Sequence, residues 1–157
     1  MKTKIRRGFF ETNSSSSHNI CIALTKDIKI PTTVFFHFGS FGIFYDPIND
    51  MMEKASFLYT GLYFYNYELF FQKVIPALKK LKIRVLYEKE ERLTEFPDMS
   101  MTHYGDFFDA VTNDEFLLRH FLFSELSFIT GDYGGYDDKY YKNLNYEFNK
   151  YRAGGIG

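Results

Sequence analysis

An α+β fold is predicted by three observations. Apolar, β-branched and aromatic stretches crowd the amino end, helically spaced apolar residues follow, and short strand-like runs return between the helices. The expected architecture is a single domain over residues 1–152. It has a mainly antiparallel sheet of about four to five strands with about three to four helices packed on it. Residues 153–157 are expected as a flexible tail. The chain has 157 residues, enough to bury a core without disulfide or metal support.

Residues 2–10 read as a strand. Residues 11–17 cannot continue it, because Thr12, Asn13, Ser14, Ser15, Ser16 and Ser17 bond their own backbone and favour turns. Residues 18–24 resume as a short apolar strand, so the unit is a hairpin with a serine-rich connection. Residues 27–31 form a turn, and 33–38 a β-branched and aromatic third strand. A loop at 39–42 leads to a short extension at 43–45. Asp46-Pro47 offers an N-cap followed by proline at the first helical position. A helix is expected over 47–58, with Gly61 marking its end or a weak point.

Asn66 is the expected cap of the next helix. Its apolar positions Phe70, Phe71, Val74, Ile75, Leu78 and Leu81 have the helical period. Pro76 conflicts with that pattern and predicts a kink. Lys79, Lys80 and Lys82 suit a helix C-terminus. A strand follows at 83–87, with Ile83, Val85 and Tyr87 on one side. Residues 89–92 read as a solvated charged turn, and 96–106 as irregular. Thr112 with Glu115 predicts a capping box for a helix to about residue 123, on which Phe116, Leu117, His120 and Phe121 share a face. A strand at 126–130 is expected to end at Gly131. Residues 131–138 read as a turn, and 139–151 as a helix weakened by three asparagines.

Composition excludes several classes. Lys and Arg number 19 against 20 Asp and Glu, and the net charge of −1 gives no general attraction to nucleic acid or an anionic membrane. The 45% hydrophobic content argues against a mostly disordered chain. Cys21 is the one cysteine and lies in an apolar run, so it is expected buried, in a reducing compartment. No secretory leader is expected, and the uncharged stretches 30–45 and 55–67 fall short of the roughly 18 residues of a spanning helix. A cytoplasmic protein is the expectation. Phosphate-loop, nucleophile-elbow, HExxH and CxxC patterns are missing, and no cofactor is expected.

Aromatic residues make up 20% of the chain, with 19 Phe, 13 Tyr and no Trp. Phe57, Tyr59, Tyr63, Phe64, Tyr65 and Tyr67 cluster in one segment. They read as core filling or, in part, as a binding surface, since tyrosine gives contact area at low entropic cost. Tyr133, Tyr136, Tyr140, Tyr141, Tyr146 and Tyr151 are too many to bury together, so some face a partner or solvent. His37 reads as a strand-edge histidine and His120 as a hydrogen-bonded one on its helix face. His103, Asp106 and Asp109 have helical spacing suited to a metal, but Gly105 and Pro97 favour a loop, and ordinary polarity is the preferred reading. The acids of 132–138 lack the pattern of a calcium loop. No metal site is expected.

The segment richest in chemistry runs from Arg6 and Arg7 through Glu11, Thr12, Asn13, Ser14, Ser15, Ser16 and Ser17 to His18. Hydroxyls and turn amides can wrap an anion. Arg6 or Arg7 can add bidentate charge, and one of the two at most faces the turn. His18 is the candidate acid or base, with Glu11 orienting it. Three readings stay open: a solvated turn whose serines satisfy their own backbone, a ligand site, or a catalytic site.

Residues 8–20, read as Gly-Phe-Phe-Glu-Thr-Asn-Ser-Ser-Ser-Ser-His-Asn-Ile, resemble the N-terminal signature of a group of phage and prophage accessory proteins of low-GC bacteria. A second echo lies at Phe123-Ser124 and from Ser127 to Asp132. The resemblance implies an accessory protein of a phage or mobile element and carries no established reaction. The leading expectation is a protein that binds a phosphate-containing ligand, such as a nucleotide, at the 11–18 turn. The alternative is a non-enzymatic inhibitor of a host protein, for example a bacterial defence nuclease, recognised through exposed aromatics.

Overall fold

Isoleucines at 20 and 22 alternate with Cys21 and Ala23, and a strand with that pattern can bury both of its faces. The computed structural model describes residues 6–11, 17–25, 28–41, 47–90 and 105–132. In it β1 (Arg6–Glu11) and β2 (Ser17–Leu24) form the expected antiparallel hairpin, and β5 (Phe128–Asp132) pairs antiparallel along the other edge of β2. Ile20 and Ile22 enter the main core, while Cys21 and Ala23 pack with Phe128 and Leu126 in a second cluster. Cys21 is buried, as its apolar neighbours require.

The fold is α+β, and the antiparallel pairing holds for this three-stranded sheet. The remaining strands form a separate pair rather than extending it: β3 (Thr33–Phe36) lies parallel to β4 (Arg84–Tyr87). Parallel pairing follows from the connection, because a crossover through helices returns the chain in the same direction. That crossover is α1 (Met51–Asn66), a π-helical turn (Phe70–Val74) and α2 (Ile75–Lys80). Two further helices, α3 (Gly105–Asn113) and α4 (Glu115–Phe123), precede β5. One cluster of buried apolar side chains draws on β2, β3, β5 and all four helices.

Several expected boundaries move, each for a local reason. Helix α1 starts at Met51 rather than Pro47. The backbone of Ile48 is bonded both ways to Ile129, at 2.8 and 2.9 Å, which extends the three-stranded sheet by one bridge. Asp50 therefore caps the helix, accepting from Glu53 N at 3.2 Å. Asn66 closes α1 instead of capping the next helix. The middle of α1, from Phe57 to Leu62, is buried on every side, so it lacks the polar face that marks a surface helix.

Gly61 lies inside that buried stretch. A Cβ there would sit 2.1 Å from Phe108 Cζ of α3, so the glycine sets how closely the two helices approach.

Pro76 produces a change of helix type. Proline lacks the N–H of an α-helical turn and clashes with the carbonyl four residues back. Over Phe70–Val74 the chain widens to π geometry, with Ile75 N bonded to Phe70 O five residues back, and Pro76 enters the first turn of α2. After α2, Lys82 takes a positive φ of 61°. Its N–H bonds Lys79 O and that of Ile83 bonds Leu78 O, which ends the helix and aims the chain into β4.

Residues 105 and 106 belong to α3, not to an irregular stretch, although glycine opens that helix. The expected Thr112–Glu115 capping box is replaced by a cap two residues later. Thr112 is still helical, its hydroxyl donating to Phe108 O at 2.6 Å, and Asp114 accepts from Phe116 N and Leu117 N. Gly131 continues β5, paired with His18, rather than ending it. The extension at 43–45, the turn at 133–138, the helix at 139–151 and the tail at 153–157 lie outside the described residues.

Two substitutions test these assignments. Gly61→Ala gains about 1 kcal/mol of helix propensity, but overpacking a filled core costs about 1–3 kcal/mol. Denaturant unfolding should show net destabilisation, partly recovered in Gly61→Ala/Phe108→Leu. Asp114→Ala should cost about 1 kcal/mol by the same measurement.

Candidate functional site

The polar segment meets the sheet at one end. Glu11 closes β1 opposite Asn19, while Ser17 and His18 open β2 opposite Asp132 and Gly131. Thr12, Asn13, Ser14, Ser15 and Ser16 lie outside the described residues. Pairing of β2 with β5 sets the Ser127–Asp132 segment against the 8–20 string, with Asn19 opposite Thr130 and Ile20 opposite Ile129. Two stretches far apart in sequence thus become neighbouring strands. Thr130 and Asp132 are the polar positions at this end that the sequence reading left out. Asp132 lay in what read as a turn.

The register of the paired strands places the other members of the expected site by row. Arg6 and Arg7 pair with Leu24 and Ala23. They stand four to five residues from Glu11, roughly 13–17 Å at the rise of a strand, so they occupy the opposite end of the hairpin. Glu11 shares its cross-strand row with Asn19 and Thr130, whereas His18 belongs to the next row with Gly131. Glu11 and His18 thus stand in neighbouring rows of the backbone register.

A second group surrounds Lys54, which the sequence reading missed. Lys54 is 1% exposed and lies on the buried side of α1. Its Nζ donates to Ser124 O at 2.7 Å and to Ser127 O at 3.2 Å. Burial pulls its pKa down to about 8, opposed by the nearby carboxylates of Asp50 and Glu125. Ser127 Oγ donates to His120 O at 2.7 Å and accepts from Ala23 N at 2.9 Å. The ring of His120 spans from Phe116 O to Thr25 O, at 2.8 and 2.9 Å. The sequence signal for Lys54 was a charge set in a helical apolar row with Met51, Ala55 and Leu58.

Beside Lys54 lies an open cleft of about 420 Å³, lined by Lys29, Pro31, Asn49, Asp50, Met51, Phe123 and Glu125. Asp50 there is occupied as a helix cap. Lys54 does not line the cleft, and its amine is taken up by the carbonyls of Ser124 and Ser127.

The third feature is aromatic. Tyr59 is fully buried, donates to Glu88 O at 2.6 Å and accepts from Tyr67 OH at 2.5 Å. Burial foremost pushes its hydroxyl well above the usual tyrosine range, and that of Tyr67 rises for the same first cause. Tyr63, Tyr67 and Phe71 follow at four-residue steps along α1 and into the π turn, and such positions are neighbours on a helix. Their ring centroids are 5.1 Å apart at each step, and Phe38 and Tyr87 flank the row at 5.0 Å from Tyr63 and 5.3 Å from Phe71. Phe64 and Phe71 each remain 39% exposed. The aromatic excess therefore divides: Phe57 and Tyr59 fill core, and the far half of α1 carries rings at the surface.

The histidines and acids elsewhere are accounted for locally. His37 is exposed, stacked on Phe35 at 4.0 Å, and lies 3.7 Å from Glu88. Asp109 of α3 accepts from Tyr65 OH at 2.8 Å, and His103 lies outside the described residues. Among the described residues no group of three His, Cys, Asp or Glu could hold a metal ion, and no helix is long and apolar enough to cross a membrane. No protein-family model, curated protein or solved structure matches the chain.

The Lys54 contribution has a definite pH signature. Its pKa is lower folded, about 8, than unfolded, 10.5, so its contribution to stability is full above 10.5 and lost as pH falls through 8. Stability should rise by about 2 kcal/mol from pH 8 to 10. Above pH 10 the raised hydroxyls of Tyr59 and Tyr67 reverse the trend, because the unfolded tyrosines ionise first. Thermal unfolding against pH should show that maximum in the wild type, and Lys54→Met should lack the rising limb.

Proposed function

We propose that the chain is an accessory protein of a phage or other mobile element that binds a protein of its host cytoplasm through the aromatic surface, as an inhibitor of a defence nuclease would. The row of Tyr63, Tyr67 and Phe71, continued by Phe64, is the observation that carries this reading. Rigid aromatic rings give large contact area at little entropic cost and recur as the dominant anchors of interfaces. The rings are held in place before any partner arrives, by edge-to-face packing among themselves and by the hydroxyl contacts of Tyr63 and Tyr67. The mobile-element resemblance of residues 8–20 supplies the biological setting.

A second reading has its own support. Adjacency of β2 and β5 joins the two segments that resemble phage accessory proteins, and it favours a phosphate-containing ligand, such as a nucleotide, at the 11–18 end of the sheet. Chemistry on that ligand would fall to His18. The positions of Arg6 and Arg7 at the far end of β1 weigh against a strongly anionic ligand there.

One paired experiment separates the two. Host proteins retained by the immobilised wild type should also be retained by His18→Ala and lost from Phe64→Ser/Phe71→Ser, with circular dichroism confirming that both variants fold. Retention by the double serine variant, or no specific retention by the wild type, overturns the aromatic reading. Calorimetric binding of a nucleotide that is abolished by Ser16→Ala and His18→Ala would establish the second.

A further inference from the structure

Building on that protein-binding reading, we infer that the aromatic row recognises an arginine-rich segment of its partner. Two tyrosines of α1, Tyr63 within the row and Tyr65 beside it, are bonded to carboxylates. Glu90 Oε1 accepts from Tyr63 OH at 2.6 Å. On the other flank of α1, Asp109 Oδ1 accepts from Tyr65 OH at 2.8 Å. A phenol that donates to a carboxylate pushes electron density into its ring, which deepens the negative potential of the ring face. Such a face attracts a guanidinium, and the carboxylate beside it is positioned to take the same group's N–H donors.

The chain holds one ring–guanidinium contact of its own. Arg119 of α4 lies with its guanidinium carbon 5.3 Å from the ring centroid of Phe116. Along the Tyr63–Phe71 row the partly exposed ring of Phe71 and the exposed carboxylate of Glu90 offer an outside cation two separate points of contact. The acids select the occupant. Bases of a single-stranded nucleic acid can stack on aromatic rings, but its phosphates would meet Glu90 and Asp109. A partner protein's arginines find attraction from both groups.

Isothermal titration of the full chain with a short arginine-rich peptide tests this. Matched peptides carrying glutamine in place of arginine and an oligothymidylate serve as competitors for the assignment. The arginine peptide should bind more tightly than either. Phe71→Ala and Glu90→Gln should each weaken it by about 3- to 30-fold, and added salt should weaken the wild-type complex. Failure of the arginine peptide to bind, equal binding of the glutamine peptide, tighter binding of the oligonucleotide, or indifference to both variants would overturn the inference. A host partner lost from Phe64→Ser/Phe71→Ser while the arginine peptide fails would leave the protein-binding reading standing and remove the cation assignment alone.

Discussion

A single ammonium, taken out of water, ties together the parts of this fold that are farthest apart in sequence. Lys54 sits in α1 and binds the two carbonyls that bracket the turn between α4 and β5. Through Ser127 the same turn reaches Ala23 of β2, and through His120 it reaches Thr25 at the strand's end. Burying a charge costs several kcal/mol, and only good acceptors offset it. The arrangement is therefore sensitive to geometry: the helix, the turn and the strand must all be in position for the amine to be satisfied. That requirement gives the interior a specificity which apolar packing alone, tolerant of exchange, would not supply.

The hairpin, the helix ending at Phe123 and the strand ending at Tyr87 were legible because each has a strong local pattern. The boundaries that moved were set by distant partners. Ile48 was claimed by Ile129 of β5, so Pro47 could not start a helix despite its fitness for that position. Gly61 reads locally as a breaker, yet a neighbouring ring turns the missing side chain into a requirement. Thr112 and Asp114 are both good caps, and the length of α3 chose between them. The parallel pairing of β3 with β4 was invisible for a related reason: strand direction is a property of the connection, not of either strand.

The site was less legible than the fold. Residue types near the amino end suggested an anion cradle, but register decides which of them share a row, and register depends on β5. Lys54 was overlooked because a lone lysine within an aromatic helix reads as a solvated edge. The surface rings were visible as an excess, but composition cannot divide the rings between core and surface. Their division follows from α1 itself, which passes from full burial at Leu62 to a partly exposed ring at Phe64 within two residues.

The π-helical turn before Pro76 has a mechanical consequence. A widened turn holds one residue more than an α-helical one and so shifts the angular phase of everything beyond it. Phe70 points into the core and Phe71 outward at the place where that shift occurs. The rotational setting of α1, which carries the surface rings, is thereby uncoupled from that of α2, which feeds β4. The surface rings and the parallel strand pair are thus set by two separate helical phases joined at a single widened turn.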